Sequence, residues 1–242
     1  MHLIECIWAG ILKGECTMEQ VKNKIKAIIF DMDGTIIKTE SAWQKITLDL
    51  LAHYGITTLT EEQEALLKSF SGVAMISVAS QLKLHFNLDD NIETIVMHKT
   101  VIANAVLANH VEFIEGFELF HARLQQFNIP TSIATNAMPD NLLSLSKQLN
   151  FERFFGINLY SQADVNYRPK PDPALFLHAA EKLGVKPEEC LVFEDSMPGF
   201  LAARAAGMKC IAIKNEFNHS FLEHVHESIS NYHEAEEALK KI

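Results

Sequence analysis

The amino-acid sequence predicts an α/β protein, a doubly wound, Rossmann-like parallel sheet with an inserted all-helical domain. From about residue 117 onwards, short apolar runs typical of buried strands alternate with helical patterns, as expected for a parallel sheet covered by helices on both faces. Residues 40–111 contain helical patterns and no strand candidate. The sequence therefore predicts an α/β core at 25–39 and 112–242, with a helical insertion at 40–111 after the first strand.

Helical spacing and helix-start signals predict the elements of the insertion. Apolar residues at 3.6-residue spacing begin at Trp43 and end before Gly55. Thr60 opens a capping-box pattern before the next apolar run. Two further helices are predicted at 75–86 and 91–109.

Five strands are predicted in the core from short runs rich in β-branched and aromatic residues. The runs lie at 26–30, 130–135, 157–160, 190–193 and 209–213. Helices are predicted at 117–127, 138–149, 172–183 and 198–206, and the tail from 216 is predicted to be mostly helical and polar.

Composition and charge restrict the possible partners. The chain has 242 residues, of which 48% are hydrophobic and 21% charged, as in an ordinary globular protein. Its formal net charge of −10 disfavours nucleic acid and anionic membranes as partners. The four cysteines, Cys6, Cys16, Cys190 and Cys210, form no C-x-x-C pair. We therefore expect neither a zinc site nor a disulfide framework, but a reducing, cytoplasmic location.

The first 24 residues are predicted to form an N-terminal extension outside the fold. Residues 3–12 are mostly apolar, but they lack the positively charged start and the A-x-A cleavage pattern of a secretory signal. The run is also too short to span a membrane. Met18 is a candidate for the natural start, because on this interpretation the core needs nothing before about Val21.

Two aspartates mark the end of the first predicted strand. Asp31 and Asp33 follow the apolar run 26–30, with Gly34 and Thr35 behind them, and the carboxyl ends of parallel strands are where ligands bind. Two carboxylates one residue apart repel each other, and burying them without a partner costs on the order of several kcal/mol. A divalent cation would remove that cost. A solvated acidic pair is the ordinary alternative for so short a motif.

Three later segments place further polar groups at predicted strand ends. Thr135 and Asn136 end the second strand, where a hydroxyl and free amides are suited to bind phosphate or to cap the next helix. Lys170 lies in a proline-rich, extended loop, and Glu194 and Asp195 directly follow the fourth strand. Their order and common position favour a single site that also includes the first aspartate pair.

With these motifs in place, the segment from Phe30 to Thr35 resembles the first motif of the haloacid dehalogenase (HAD) superfamily of phosphotransferases. Thr135, Lys170 and Glu194-Asp195 then fall on the second, third and fourth motifs. The surrounding residues are similar to the branch that holds sugar-phosphate phosphatases and β-phosphoglucomutase. In that branch a helical cap closes over the site, and the helical insertion resembles this cap.

The resemblance implies a Mg²⁺-dependent phosphatase that hydrolyses a small phosphomonoester, such as a sugar phosphate, through an aspartyl-phosphate. Asp31 is the implied nucleophile and Asp33 the implied general acid and base. The implied phosphate-binding residues are Thr135, Asn136 and Lys170. The implied Mg²⁺ ligands are Asp31, Asp33 through its backbone oxygen, and Asp195, with Glu194 in or near the shell. We expect a monomer whose partner is a small phosphorylated metabolite.

Lys170 is expected to be an unpaired cation that serves the phosphate rather than the core. Its bond to Pro171 is a candidate for the cis form found in relatives.

Two alternatives stay open. A mutase like β-phosphoglucomutase must hold a second phosphate, but residues 40–111 contain four lysines and no arginine. Trp43 also stands where the mutase has a histidine, and Lys38 stands where an aspartate is usual. These residues favour water as the acceptor of the phosphoryl group. The other alternative is a phosphate-binding module without catalysis, against which the full set of carboxylates argues. The sequence does not name the substrate.

Overall fold

The computed structural model describes residues 17–108 and 111–242. Its strands are β1 (Ala27–Phe30), β2 (Thr131–Thr135), β3 (Leu159–Ser161), β4 (Cys190–Glu194), β5 (Lys209–Ile213) and β6 (Glu227–Ile229). In the described residues they form one parallel sheet of six strands in the order β3-β2-β1-β4-β5-β6. The prediction of a doubly wound parallel sheet is confirmed, and β1 lies near its centre.

Helices connect the strands and form the insertion. They are α1 (Met18–Lys24), α2 (Glu40–His53), α3 (Glu61–Lys68), α4 (Met75–Phe86), α5 (Ile92–Leu107), α6 (Phe117–Gln126), α7 (Pro139–Leu149), α8 (Glu152–Phe155), α9 (Ala174–Leu183), α10 (Met197–Ala205) and α11 (Ala235–Lys240). None of these helices has both the length and the apolar character needed to cross a membrane.

Both faces of the sheet are buried, as expected from strands that are continuously apolar. Ile28 and Phe30 pack in one cluster with residues of α1, α6, α7 and α11, whereas Ala27 and Ile29 pack in another with residues of α9 and α10. The Phe30 ring stacks on Phe193 of β4, with 5.2 Å between ring centroids. The central strands are therefore fixed side by side, and the residues that follow them emerge close together.

The C-terminal tail differs from the prediction of a mostly helical, polar segment. Glu227–Ile229 forms β6, an edge strand that pairs with β5. It has three residues, of which Ile229 alone is buried, so the sequence contains no strand periodicity to detect. The third strand also lies slightly later than predicted, at 159–161 rather than 157–160, and the short helix α8 was not predicted.

The segment before β1 belongs to the core, contrary to the expectation that all of residues 1–24 lie outside the fold. Met18 and Val21 of α1 are 5% and 1% exposed, and they pack in the cluster that includes Leu239 of α11. The expectation failed because the seven residues of α1 gain their stability from this packing, which helical propensity alone does not reveal. Residues 1–16 lie outside the described residues.

Helices α2 to α5 lie in the segment predicted as a helical insertion. Thr60 makes the predicted capping box with Gln63, and α4 spans the predicted 75–86. The insertion has its own small core, which includes Leu50, Leu82 and Ile95. It therefore packs internally as well as against the α/β core.

The helical insertion meets the core beyond the carboxyl end of the sheet. Asn136, after β2, donates from Nδ2 to the carbonyl oxygen of Gly72 at 2.9 Å. Asn141 Nδ2 donates to Asn104 Oδ1 at 3.1 Å. Gly72 has a φ of +69°, and a Cβ there would lie 2.1 Å from Ser196 Oγ, so glycine is required at this contact.

Candidate active site

The predicted site residues come together at the carboxyl end of the sheet. Asp31 directly follows β1, Thr135 ends β2, and Glu194 ends β4 with Asp195 behind it. Lys170 enters the site from the loop before α9. Ligand atoms of Asp31, Glu194 and Asp195 lie within 4.8 Å of one another, and all three residues are buried.

Lys170 is the cation of this cluster. Its Nζ donates to Asp31 Oδ1 at 2.6 Å and to Glu194 Oε1 at 2.7 Å, and its side chain is 1% exposed. The bond to Pro171 is cis. The expectation that Lys170 has no partner in the fold is wrong, because the lysine bridges two carboxylates that arrive from different strands.

The second oxygen of Glu194 and both oxygens of Asp195 also accept hydrogen bonds. Glu194 Oε2 accepts from the backbone N–H groups of Asp195 and Ser196, each at 2.7 Å, and from Ser196 Oγ at 2.9 Å. Asp195 Oδ1 accepts from the Thr35 hydroxyl at 3.2 Å, and Oδ2 accepts from Asn215 Nδ2 at 3.0 Å. These bonds fix both carboxylates before any ligand binds.

One lysine does not balance the charge of this cluster. Burial raises the pKa of Asp31 to about 8, against the attraction of Lys170 and with help from the Glu194 carboxylate. Burial, Glu194 and Asp31 also raise the pKa of Asp195 well above its usual value. Burial disfavours the charged form of Lys170, but the two carboxylates outweigh it and raise its pKa. A further cation would stabilise the ionised state of all these carboxylates.

The chemistry of the donor set fits a divalent metal ion. Carboxylate oxygens are the ligands that hard cations prefer, and the cluster of Asp31, Glu194 and Asp195 is the one metal-competent group of this kind among the described residues. Gly34 has a φ of +75°, and a Cβ there would lie 2.2 Å from Asp195 Oδ2. Because residue 34 is glycine, the loop after Asp33 approaches this carboxylate closely.

The Asp33 carboxylate is bonded to the base of the helical insertion. Its Oδ1 accepts from the Thr39 hydroxyl and from Trp43 Nε1, both at 2.8 Å. Burial raises the pKa of Asp33, and these two hydrogen bonds reduce the rise. A carboxyl group with a raised pKa, oriented by two donors, is suited to give a proton to a leaving group and to take one from water.

Thr135 and Asn136 form a corner beside Lys170. Thr135 Oγ1 accepts from the N–H of Ala137 at 3.0 Å, which leaves the hydroxyl hydrogen for a ligand oxygen. This bond does not cap α7, because the N-cap of that helix is Met138 and no side chain caps it. Asn136 Oδ1 accepts from the N–H of Lys170 at 2.9 Å. The asparagine side chain therefore fixes the loop that carries the lysine.

A cavity of about 310 Å³ lies between the strand ends and the helical insertion. On the core side, Asp31, Asp33, Thr135, Asn136 and Asp195 line it. The opposite side is mainly apolar and includes Trp43, Leu59, Leu67, Phe70, Met75 and Val78, together with Lys68 and Lys99.

Comparison with known proteins identifies the family of this chain. Residues 28–213 match the family described as haloacid dehalogenase-like hydrolase. The chain belongs to the haloacid dehalogenase-like hydrolase family. The chain is 28% identical over 188 residues to the 6-phosphogluconate phosphatase of Escherichia coli, covering 77% of this chain and 81% of the relative. It is 28% identical over 195 residues to the fructose-1-phosphate phosphatase YqaB of the same organism, covering 79% and 98%.

Solved structures of HAD hydrolases share the fold. A family IA hydrolase from Entamoeba histolytica superimposes with a TM-score of 0.79 at 24% identity, over 90% of this chain and all of that one. CbbY from Rhodobacter sphaeroides, in complex with phosphate, gives a TM-score of 0.74 at 22% identity, over 86% and 95%. The predicted superfamily, branch and hydrolytic class are confirmed, and the relatives' names agree with the prediction of a phosphoric monoester hydrolase.

Two residues of this HAD-family site were not assigned from the sequence. The sequence does not reveal the bond from Trp43 to Asp33, because a contact between side chains ten positions apart, from a loop to a helix, leaves no local pattern. Lys99 was counted as one of four lysines of the insertion. It lies four residues after Ile95 and four before Ala103, and all three are buried on α5. A lysine within that buried stripe was the available signal.

Proposed function

We propose that this HAD-family protein is a Mg²⁺-dependent phosphatase that hydrolyses a small phosphomonoester through an aspartyl-phosphate on Asp31. The observation that carries the proposal is the placement of Asp31, which lines the cavity while Lys170 holds its Oδ1 at 2.6 Å. Asp33, two residues later, lines the same cavity and is held by Trp43. A nucleophile and an acid–base group therefore lie next to each other at one strand end.

In the first step, a carboxylate oxygen of Asp31 forms a bond to phosphorus, and the bond from phosphorus to the leaving oxygen breaks. Asp33 gives its proton to that oxygen. Lys170, the Thr135 hydroxyl and the amide of Asn136 are placed to stabilise the charge on the other phosphoryl oxygens. The alcohol product then leaves through the cavity.

In the second step, Asp33 takes a proton from water as the water oxygen attacks phosphorus. The bond between Asp31 and phosphorus breaks, inorganic phosphate is released, and both aspartates return to their starting states. Mg²⁺ bound by Asp31, the backbone oxygen of Asp33 and Asp195, with Glu194 in or near the shell, would supply charge neutralisation for the anionic phosphoryl group.

The cavity and the relatives support a small phosphomonoester as the substrate. A volume of about 310 Å³ suits a metabolite rather than a polymer, and the two Escherichia coli relatives carry the names of sugar-phosphate phosphatases. We propose that the helical insertion acts as a cap that excludes bulk water and selects the leaving group. We propose a cytoplasmic location, in agreement with the buried free thiols of Cys190 and Cys210, and a monomeric state.

We propose that water, rather than a second sugar phosphate, accepts the phosphoryl group from Asp31. The helical insertion has no arginine in its sequence, and a lysine lacks the bidentate fork with which arginine grips a phosphate. The Trp43 indole occupies the hydrogen-bonding position next to Asp33. With β-glucose 1-phosphate and a trace of the bisphosphate, we expect inorganic phosphate to form faster than glucose 6-phosphate, and the reverse order would support the mutase.

The direct test is hydrolysis of 4-nitrophenyl phosphate with Mg²⁺ and with a chelator. We expect turnover that requires the metal, and an acid-quenched intermediate on the peptide containing Asp31 that hydroxylamine cleaves. Thr135→Ala, which keeps both aspartates, should retain the intermediate at a reduced rate. Absence of turnover at every pH, with phosphate binding intact, would favour the non-catalytic module.

A further inference from the structure

Lys99 is a buried cation on the wall of the cavity formed by the helical insertion. The residue is 4% exposed and lines the cavity. Its Nζ donates to the Thr47 hydroxyl at 3.0 Å and lies 6.0 Å from the centroid of the Trp43 ring. No carboxylate of the described residues makes an ion pair with it.

Burying the charge of Lys99 without a counterion costs free energy of folding. An ammonium group has three donors and a full charge, and a neutral hydroxyl with a neighbouring indole compensates only part of the hydration that burial removes. Burial accordingly lowers the pKa of Lys99 to about 8, so the side chain is still mainly protonated at neutral pH. Lys170 on the opposite side is equally buried but has two carboxylates. An anion from outside the chain would complete the Lys99 site in the same way.

The surroundings of Lys99 limit what that anion is. The neighbouring wall, from Trp43, Leu67, Phe70 and Met75, offers apolar surface and few hydrogen-bond donors for a polyhydroxylated body. Lys68 and Glu64 also line the cavity but are exposed. One buried monovalent cation matches a carboxylate better than a phosphate dianion, which needs more donors.

We propose that Lys99 binds a carboxylate on the leaving group of the substrate, so that the preferred substrates are phosphomonoesters of hydroxy acids with an apolar or aromatic body. The proposal rests on the proposed phosphatase activity, and it assigns the selection of the leaving group to Lys99. Thr47 orients the ammonium group, and the Trp43 ring lies between the carboxylate site and the acid–base group Asp33.

The test compares substrates that differ in charge and hardly in size. They are the 3- and 4-isomers of carboxyphenyl phosphate, the matching carbamoylphenyl phosphates, and 4-nitrophenyl phosphate as the reference. For at least one isomer we expect kcat/KM to be about tenfold or more higher for the carboxylate than for the amide, as for a charge-assisted hydrogen bond. In Lys99→Met that ratio should fall to about one, with the reference substrate changed by less than about threefold.

Lys45→Met is the matched control. Lys45 lies on α2 of the same insertion, is 63% exposed and pairs with Asp49, so its removal changes the net charge equally without altering the cavity. We expect Lys45→Met to keep the wild-type preference for the carboxylate. Calorimetric binding of 3- and 4-hydroxybenzoate, with the hydroxybenzamides for comparison, tests Lys99 without turnover.

The outcomes separate the two proposals. Equal rates for carboxylate and amide in the wild type, for both isomers, would overturn the Lys99 proposal while turnover of 4-nitrophenyl phosphate upheld the phosphatase. A uniform loss on every substrate in Lys99→Met would also overturn it, since that is the result of a structural lysine. If no phosphate ester is hydrolysed, the phosphatase proposal fails, and tighter binding of hydroxybenzoate by the wild type than by Lys99→Met would still support the carboxylate site.

Discussion

The core wall of the cavity carries carboxylates that belong to a network of buried charges, whereas the wall formed by the helical insertion is mainly apolar and holds one buried ammonium group beside a neutral hydroxyl. Behind the core wall, the buried Lys170 bridges Glu194 and Asp31, of which Asp31 lines the cavity. Backbone N–H groups hold the second oxygen of Glu194. On the other wall, Lys99 has Thr47 as its hydrogen-bond partner.

This difference between the two walls suits two separate roles, catalysis and the selection of the leaving group. A network with internal partners is organised without a ligand, which suits steps common to every phosphate ester because the charges are pre-oriented. A cation without a counterion gains most from a ligand that supplies one, which suits discrimination between leaving groups. Substitutions on the core wall should therefore affect all substrates, and those on the other wall should depend on the substrate.

Asp31→Asn should have the largest effect. The amide keeps the size of the side chain but is not a nucleophile, so turnover of every phosphomonoester should fall by about a thousandfold or more. The thermal midpoint should stay the same or rise, because the substitution removes one of three mutually repelling carboxylates. Rates measured on freshly prepared protein, with mass spectrometry to exclude deamidation, provide the check. Retention of more than a few per cent of the rate would rule out Asp31 as the nucleophile.

Lys170→Met should reduce both turnover and stability. Removing one partner of a buried ion pair costs about 3 kcal/mol or more, because Asp31 and Glu194 are left without their cation. Lys170 lowers the pKa of Asp31, which burial raises to about 8, so loss of the lysine raises this pKa above 8. Asp31 in the variant then accepts a proton at higher pH than in the wild type, and the stability deficit should shrink as the pH falls from 10 towards 8. Urea denaturation across that range measures it, with the exposed Lys182→Met of α9 as the control. Unchanged stability at pH 10 would support the expectation from the sequence that Lys170 serves the phosphate alone.

Trp43→Phe should have an intermediate effect that depends on the leaving group. The indole N–H donates to Asp33 Oδ1 at 2.8 Å. Without it, Asp33 keeps one of its two donors, the Thr39 hydroxyl. We expect a loss of about tenfold to a hundredfold on alkyl phosphates, within the range of general acid catalysis. The loss on 4-nitrophenyl phosphate should be smaller, because its leaving group needs little protonation. Equal losses on both substrates would indicate packing rather than positioning of Asp33.

Lys99→Met should have the smallest effect on turnover of 4-nitrophenyl phosphate, and it should raise stability where Lys170→Met lowers it. Burial lowers the pKa of the lysine from 10.5 to about 8, so at pH 7 the charged form costs the folded state up to about 3 kcal/mol. The Met variant should therefore unfold at higher urea than the wild type at pH 7. Above pH 8 the folded lysine loses its proton while the unfolded one keeps it, so the wild type should recover this stability as the pH approaches 10.5. An advantage of Met that is constant from pH 7 to 10.5 would contradict the assignment.

The sequence was informative where structure depends on neighbouring residues. Thr60 and Gln63 are three positions apart, so the capping box was visible, and the strand ends that carry Asp31, Thr135 and Glu194 followed from apolar runs. Contacts that join distant segments were not visible. The packing of α1 and the bond from Trp43 to Asp33 depend on how elements meet in three dimensions, and β6 is too short and too polar to have a pattern.

Gly72 lies at the contact between the helical insertion and the core, where there is no room for a side chain. Its carbonyl oxygen accepts from Asn136, and the space for a Cβ is already taken by Ser196 Oγ at 2.1 Å. A single added methyl group at residue 72 would act as a wedge between the helical insertion and the loop after β4. The separation of the two walls at this contact therefore depends on the absence of a side chain at residue 72, which itself lines the cavity.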